Sequence, residues 1–334
     1  MGLFGNKQYD IVAIGDIVTD AFIRLKDAST HCKLDQTACE LCVRFGDKVP
    51  FESATIIRAV GNSANAAVSA SRLGLSSALM SVVGHDEEGE KCLETLKENN
   101  VGTTYMETDP KLPTNYHYVL WYDVERTILV NHSPFDRHIP ANFKAPKWIY
   151  LTSLGENTES FHHEISKWII AHPQTKLAFQ PGTFQMKLGK DHLADIYKNT
   201  EIFFCNVEES QRILGVQETE KKILMNMLHD LGPKIVIMTD GINGAYARDT
   251  DGSFYFMPIY PHDPFERTGA GDAFASTVMS ALALGKDLKT ALMWAPINSM
   301  SVVQYVGAQK GLLSRASLEE YLKNAPTDYK LQTI

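Results

Sequence analysis

Apolar and polar positions follow two periods along this chain. In "YDIVAIG" the run Ile11 to Ile14 is continuously apolar, the pattern of a strand covered on both faces. "GNSANAAVSASRLG" puts Ala64, Ala67, Val68 and Leu73 on one helical face and ends at Gly74, a natural helix stop. "SALMSVVG" predicts another buried strand. "DEEGEKCLETLKENNVG" predicts an amphipathic helix with Cys92, Leu93 and Leu96 inward and acids in its first turns. Strand, helix, strand, helix predicts a right-handed, mainly parallel α/β sheet.

The rhythm breaks at "TNYHYVLWYD" and "ERTILVNH", two strand-like runs around a turn at Asp123 and Val124. Residues from about 21 to 52 have no helical pattern and hold the short pieces "FIRL" and "CELCVRF". Together these segments predict a small β-sheet lid, formed by about 17–52 and 113–132, inserted into a single α/β domain spanning 1–334. The alternation then resumes. "KWIYLTSLG", "KLAFQPG", "EIFFCN" and "KIVIMTDG" predict strands, and "VEESQRILG", 158–171 and 218–231 predict helices. "GAYARD" and "SFYFMPIY" predict a late hairpin. Two apolar helices follow, the second with Pro296 as a point for a kink.

Composition narrows the function. With 44% apolar and 22% charged residues the chain has the make-up of a soluble globule. A net charge of −8 argues against a nucleic-acid binder that relies on a basic surface. No apolar run has membrane-spanning length, and the start lacks a signal-peptide stretch. Asn6 breaks the myristoylation pattern, so a cytoplasmic location is expected. Five cysteines are not a disulfide framework. His31, Cys32, Cys39 and Cys42 lie close in sequence, but only Cys39 and Cys42 have metal-pair spacing. They read as ordinary thiols, with a metal or redox role left open.

The chemistry concentrates in "ERTGAGDAFAS", residues 266–276. Small residues at Gly269, Ala270 and Gly271 let a backbone approach a phosphate closely. A helix N-terminus offers unpaired N–H groups to it. Asp272 beside such an anion would accept the proton of an attacking hydroxyl; the competing reading is an ordinary cap after a glycine turn. The P-loop pattern, the full dinucleotide fingerprint and the protein-kinase motifs are all absent.

With these residues in place, the sequence resembles the PfkB (ribokinase-like) family of carbohydrate and nucleoside kinases. "RTGAGDAFAS" is similar to that family's C-terminal signature, and "VGNSANAAVSASRLG" followed by "VGHDEEG" to its N-terminal one. "NVEE" at 206–209 and "TDGINGA" at 239–245 match two further motifs, in the family's order and across nearly the whole chain.

The resemblance implies a three-layer α/β/α sandwich with a mainly parallel central sheet and a small β lid. It implies Asp272 as catalytic base and Gly269, Ala270 and Gly271 as the anion hole. Asn206 and Glu209 would position Mg2+ through water. Thr239 and Gly241 would contact the nucleotide, with Asn298 near the adenine pocket. Asp20, Gly61 and Asn65 would bind the acceptor. ATP is the implied donor, and a homodimer paired through the lid is open.

Four departures qualify this. Val60 replaces a signature glycine, and Asn62 stands where sugar kinases often carry Lys. Glu266 and Arg267 replace an Asp-Thr pair that helps bind a monovalent cation in some members, which argues against such a site. "QPGTFQ" at 180–185 is closer to nucleoside kinases, and Tyr116, Tyr118, Trp121 and Tyr122 in the lid would suit a flat base. The expected function is ATP-dependent phosphorylation of a primary hydroxyl of a sugar, with a nucleoside as the alternative acceptor. A phosphosugar is disfavoured because no Lys stands at Asn62, though Arg126 could supply one cation. A binding sensor without catalysis is the reading outside enzymology.

Overall fold

The computed structural model describes residues 8–32, 39–123, 125–263 and 265–334. The first half of the chain holds strands β1 (Ile11–Ile14), β2 (Val18–Leu25), β3 (Ser29–Cys32), β4 (Cys39–Cys42) and β5 (Phe51–Val60). It continues through helix α1 (Asn62–Arg72), β6 (Ser77–Gly84), α2 (Glu87–Glu98), β7 (Gly102–Asp109), β8 (Tyr116–Tyr122), β9 (Glu125–Leu129) and β10 (Trp148–Leu151). Next come α3 (Glu159–Ala171), β11 (Lys176–Phe179), α4 (Thr183–Leu188), α5 (Ala194–Lys198), β12 (Thr200–Asn206), α6 (Val207–Leu214) and α7 (Lys221–His229). The last part holds β13 (Ile235–Thr239), β14 (Ala245–Arg248), β15 (Phe254–Met257), α8 (Ala270–Ala283), α9 (Leu288–Val302), α10 (Arg315–Lys323) and β16 (Gln332–Thr333).

The large sheet runs β16-β15-β14-β13-β12-β11-β10-β1-β6-β7, parallel from β13 to β7 and antiparallel at its β14–β16 end. Alternation within a strand sends successive side chains to opposite faces. Ile11 and Ala13 of β1 join the core under α1, α8 and α9, while Val12 and Ile14 join the core with Phe161, Ile165 and Ile169 of α3. Two apolar cores on either side of one sheet give the expected α/β/α layers. The C-terminal ends of β1, β12 and β13 all point to one edge, where ligand sites of such sheets lie.

A separate small sheet, β5-β2-β8-β9, forms the lid. Its strand β5 continues to Val60, past the end expected for the lid segment, because Phe51–Val60 has no apolar alternation to announce it. The hairpin β3–β4 stands apart as a two-stranded sheet. Its register sets Cys32 opposite Cys39, and the two are joined as a disulfide, which corrects the reading of both as free thiols. Cys42 is free. The turn expected at Asp123 and Val124 includes one residue outside the described set, Val124; Asp123 has φ 56°. Strand β7 was not expected: only Tyr105 in it is buried, so its sequence reads as polar.

Candidate active site

Helix α8 begins at Gly269, which adopts φ 81°, a conformation open to glycine. A Cβ at Gly269 would also collide with Ala308. No side chain caps the helix, so its first N–H groups face the cleft. Gly271 borders open space, with no atom within 4 Å of where a Cβ would stand. Ser299 of α9 donates its hydroxyl to the Ala270 carbonyl and so ties the turn to the next helix.

Asp272 follows immediately. Its Oδ1 accepts from Asn62 Nδ2 at 2.9 Å and its Oδ2 from Asn65 Nδ2 at 2.8 Å. Both amides lie on the first turn of α1, three residues apart and therefore on one face. The residue is half-buried, and the protein packed around its carboxyl pushes the pKa up to about 6. Burial is the main cause and the charge of Glu209 adds to it; the amides of Asn65 and Asn62, together with Arg126, pull the other way.

Asn65, expected to contact the acceptor, is engaged on both ends of its amide. One end of its amide holds Asp272 and its Oδ1 accepts from Gln309, which also bonds the Ala59 carbonyl. Gly61 has φ 104° and lies against the Asp16 carbonyl, so it turns the chain from β5 into α1 where a side chain would clash.

Asn206 and Glu209 form a reciprocal cap at the start of α6. Glu209 N donates to Asn206 Oδ1 at 2.8 Å, and Asn206 N donates to Glu209 Oε2 at 2.9 Å. Burial raises the Glu209 carboxyl, with the Asn206 N–H partly offsetting it. Both residues line a small cavity of about 100 Å³ shared with Gln180, Thr239 and Gly271. Beside it opens a larger cavity of about 550 Å³, lined by Asn206, Thr239, Gly241, Gly271, Pro296 and Ser299. Asn298, expected near the adenine pocket, is not itself among the residues lining this cavity. Its amide is fully buried, donating to Thr277 and accepting from Leu313 N. Pro296 and Ser299 occupy the cavity side of the same helix.

Asp20 sits on β2, level with His117 of β8. Its Oδ1 is buried without a hydrogen bond, 3.2 Å from His117 Nδ1. From there a chain of contacts runs inward: His117 Nε2 to His132 Nε2 at 2.9 Å, then His132 Nδ1 to Asp16 Oδ2 at 2.8 Å. Asp16 also accepts from Arg137 at 2.5 Å and Gly155 N at 2.7 Å. Burial would raise the Asp16 carboxyl, but His132 and Arg137 outweigh it and hold it below the usual range.

Sequence reasoning missed Asp16, His117, His132 and Arg137, which come from three separate segments: the turn after β1, strand β8 and the connection from β9 to β10. It treated Asn62 only as a missing Lys, although its spacing from Asn65 was a usable signal.

Strand β8 also corrects the reading of its aromatics. Tyr116, Tyr118 and Tyr122 share one face, opposite to the face that carries His117, Val119 and Trp121. Tyr118 is exposed, and Trp121 is buried edge-on to Phe265.

The sequence pattern of the pfkB family of carbohydrate kinases matches residues 32–315. The chain belongs to this family. It is a kinase, a phosphotransferase with an alcohol group as acceptor, and it has the family's ribokinase-like fold. It is 30% identical over 270 residues to a ribokinase of Bacillus subtilis, covering 78% of this chain and 87% of that one. It is 25% identical over 328 residues to an ATP-dependent 6-phosphofructokinase of Thermoanaerobacterium thermosaccharolyticum, covering 92% and 91%. Among solved structures, the ribokinase of Arabidopsis thaliana complexed with ribose and ATP superimposes with a TM-score of 0.78 at 18% identity, covering 95% of this chain and 99% of that one.

Proposed function

We propose that this kinase transfers the γ-phosphoryl group of ATP to a primary hydroxyl of a sugar, with the whole chain acting as one kinase domain beneath its lid. The observation that carries this is Asp272. It is a carboxylate fixed by two amides, with a pKa of about 6, at the open N-terminus of α8 and beside a nucleotide-sized cavity.

The N–H groups at Ala270 and Gly271 face the space where negative charge develops during transfer. Asp272 takes the proton of the attacking hydroxyl. Thr239 and Gly241 line the nucleotide end of the cavity.

A magnesium ion fits the remaining donors. Among the described residues no three His, Cys, Asp or Glu side chains converge on a metal, so it would be held through its own waters near Asn206 and Glu209. Held there, it would supply positive charge against the phosphates. The Glu266 carboxylate already accepts from Thr268 and Gly307 and lies near Arg126, which favours activity without a monovalent cation.

On the acceptor side, the Asp20 carboxylate, whose Oδ1 lies beside His117 without a hydrogen bond, suits sugar hydroxyls, since a carboxylate accepts several hydrogen bonds. The residue beside it, His117, is polar as well. The outward turn of Tyr116, Tyr118 and Tyr122 weakens one of the two supports for a nucleobase and leaves the other, "QPGTFQ" at 180–185. The outer lid face carries Ile56, Tyr118 and Leu129, at 48%, 49% and 52% exposure, in one row across the sheet with the buried Ala21 between the first two. That face supports a homodimer through the lid. No described helix is long and apolar enough to cross a membrane, and dependence on ATP favours a cytoplasmic site.

The test is ATP consumption against ribose, fructose, adenosine, inosine and cytidine. A sugar should stimulate it most. Stimulation by a nucleoside alone would overturn the acceptor assignment, and stimulation by none would favour the sensor.

A further inference from the structure

Three consecutive residues just before the anion-binding turn each meet the lid. The Phe265 ring stands edge-on to Trp121 of β8 at 5.6 Å. The Glu266 carboxylate lies 3.7 Å from Arg126, and Arg267 lies 3.4 Å from Glu125. The lid pair Glu125–Arg126 therefore faces the loop pair Glu266–Arg267 with its charges crossed, each glutamate taking the other segment's arginine. Lid and loop lie about 140 residues apart in sequence, with separations of 142 for the outer pair, so no local constraint produces this match.

The two ion pairs differ in kind. Arg267 and Glu125 are exposed, and pairs of that sort orient segments weakly and are screened by salt. Glu266 is 3% exposed, and a carboxylate so buried needs its partners. Those partners are informative. Glu266 Oε1 accepts from Thr268 N at 2.7 Å and from the Thr268 hydroxyl at 2.5 Å, and Oε2 accepts from Gly307 N at 3.3 Å. Thr268 precedes Gly269, the turn that opens the anion site. Gly307 packs so closely on Ile57 of lid strand β5 that a side chain there would collide with it. The carboxylate that meets the lid's guanidinium is thus the one that holds the backbone of the anion turn.

We propose that Arg126 and Glu266 are positioning residues for phosphoryl transfer: the lid, docked through Arg126 on Glu266, sets the backbone at Thr268–Gly271, and Glu125 with Arg267 steers that docking. Glu266 and Arg267 then act together as one lid-docking element. The proposal rests on the reading of Gly269–Asp272 as the phosphoryl-transfer site. A poorly set turn places its N–H groups off the developing charge, and small misplacements of this kind lower turnover steeply.

The experiment is a charge-reversal cycle, Glu125→Arg, Arg267→Glu and the double variant, together with Glu266→Gln. Amide hydrogen exchange over 125–129 and 265–271 is read without nucleotide, because Arg267 also lines the large cavity. Each single reversal should speed exchange in both segments by about threefold or more, and the double reversal should bring it back to within about twofold of the unaltered protein. Glu266→Gln should lower kcat about tenfold or more while leaving KM for ATP within about threefold. A double reversal as loose as the single ones, or Glu266→Gln with unchanged kcat, overturns the proposal. Failure of the site reading looks different: Asp272→Ala would then turn over normally while the exchange pattern of the cycle still held.

Discussion

Asn62 Nδ2 and Asp272 Oδ1 lie 2.9 Å apart across 210 residues of sequence. Asn65, one turn along α1, holds the second carboxylate oxygen at 2.8 Å. The first turn of α1 thus closes against the first turn of α8, and the carboxylate at the seam is oriented before any substrate arrives. Both amides donate, and donation favours the ionised form.

Replacing Asp272 by Ala should reduce phosphoryl transfer by roughly 10²–10⁴ while ATP still binds. Turnover at steady state and nucleotide titration together check it. Near-normal turnover would remove Asp272 from its role.

The pH profile should follow the same group. Asp272 must be ionised to accept a proton, and burial has raised its pKa to about 6. Acceptor kcat/KM should therefore climb as pH rises through about 6 and level off above it. Asn62→Ala removes one donor to the ionised form, so the rising limb should move to higher pH. A limb that stays in place or moves lower would contradict the assignment.

Arg137 answers a buried charge. Asp16 is 4% exposed and accepts from Arg137 at 2.5 Å. Arg137→Leu strands that carboxylate with only His132 and Gly155 N, at a cost of about 3 kcal/mol in urea unfolding at neutral pH. Because the folded Asp16 pKa is depressed, its contribution to the native protein is present above the ordinary carboxylate range and lost on acidification. The variant should show less of that acid-dependent loss.

Two glycines of the anion turn should separate structure from binding. Gly269→Ala meets both a φ of 81° and a collision with Ala308, so it should destabilise by about 1–3 kcal/mol and abolish turnover. Gly271→Ala meets no protein atom. It should melt normally yet bind ATP more weakly, because its methyl enters the space beside the open N–H groups. Thermal unfolding with and without nucleotide distinguishes the two.

Much of this was readable from the chain. The run Ile11 to Ile14 is apolar without interruption because both sheet faces are covered, and the small residues of α1 and α8 pack where those helices meet. What escaped reading did so for physical reasons. Strand β7 is a half-exposed edge rich in Thr, Glu and Asp, so it has no apolar run. The Asp16 cluster gathers its members from three distant segments, which no local period can report. Asn298 sits two positions from Pro296 and one from Ser299, which on a helix turns it away from the cavity both residues line. Cys32 and Cys39 meet only through the register of their hairpin.

Strand β8 divides its labour by parity. His117, Val119 and Trp121 share the face that meets Asp20 and Phe265, toward the proposed site, and Tyr116, Tyr118 and Tyr122 share the other. Mutations on one set leave the other in place, so descendants of this chain can change what the enzyme accepts without changing what its lid touches, and the reverse. The same economy makes the strand intolerant of insertion: one added residue would exchange the two surfaces wholesale.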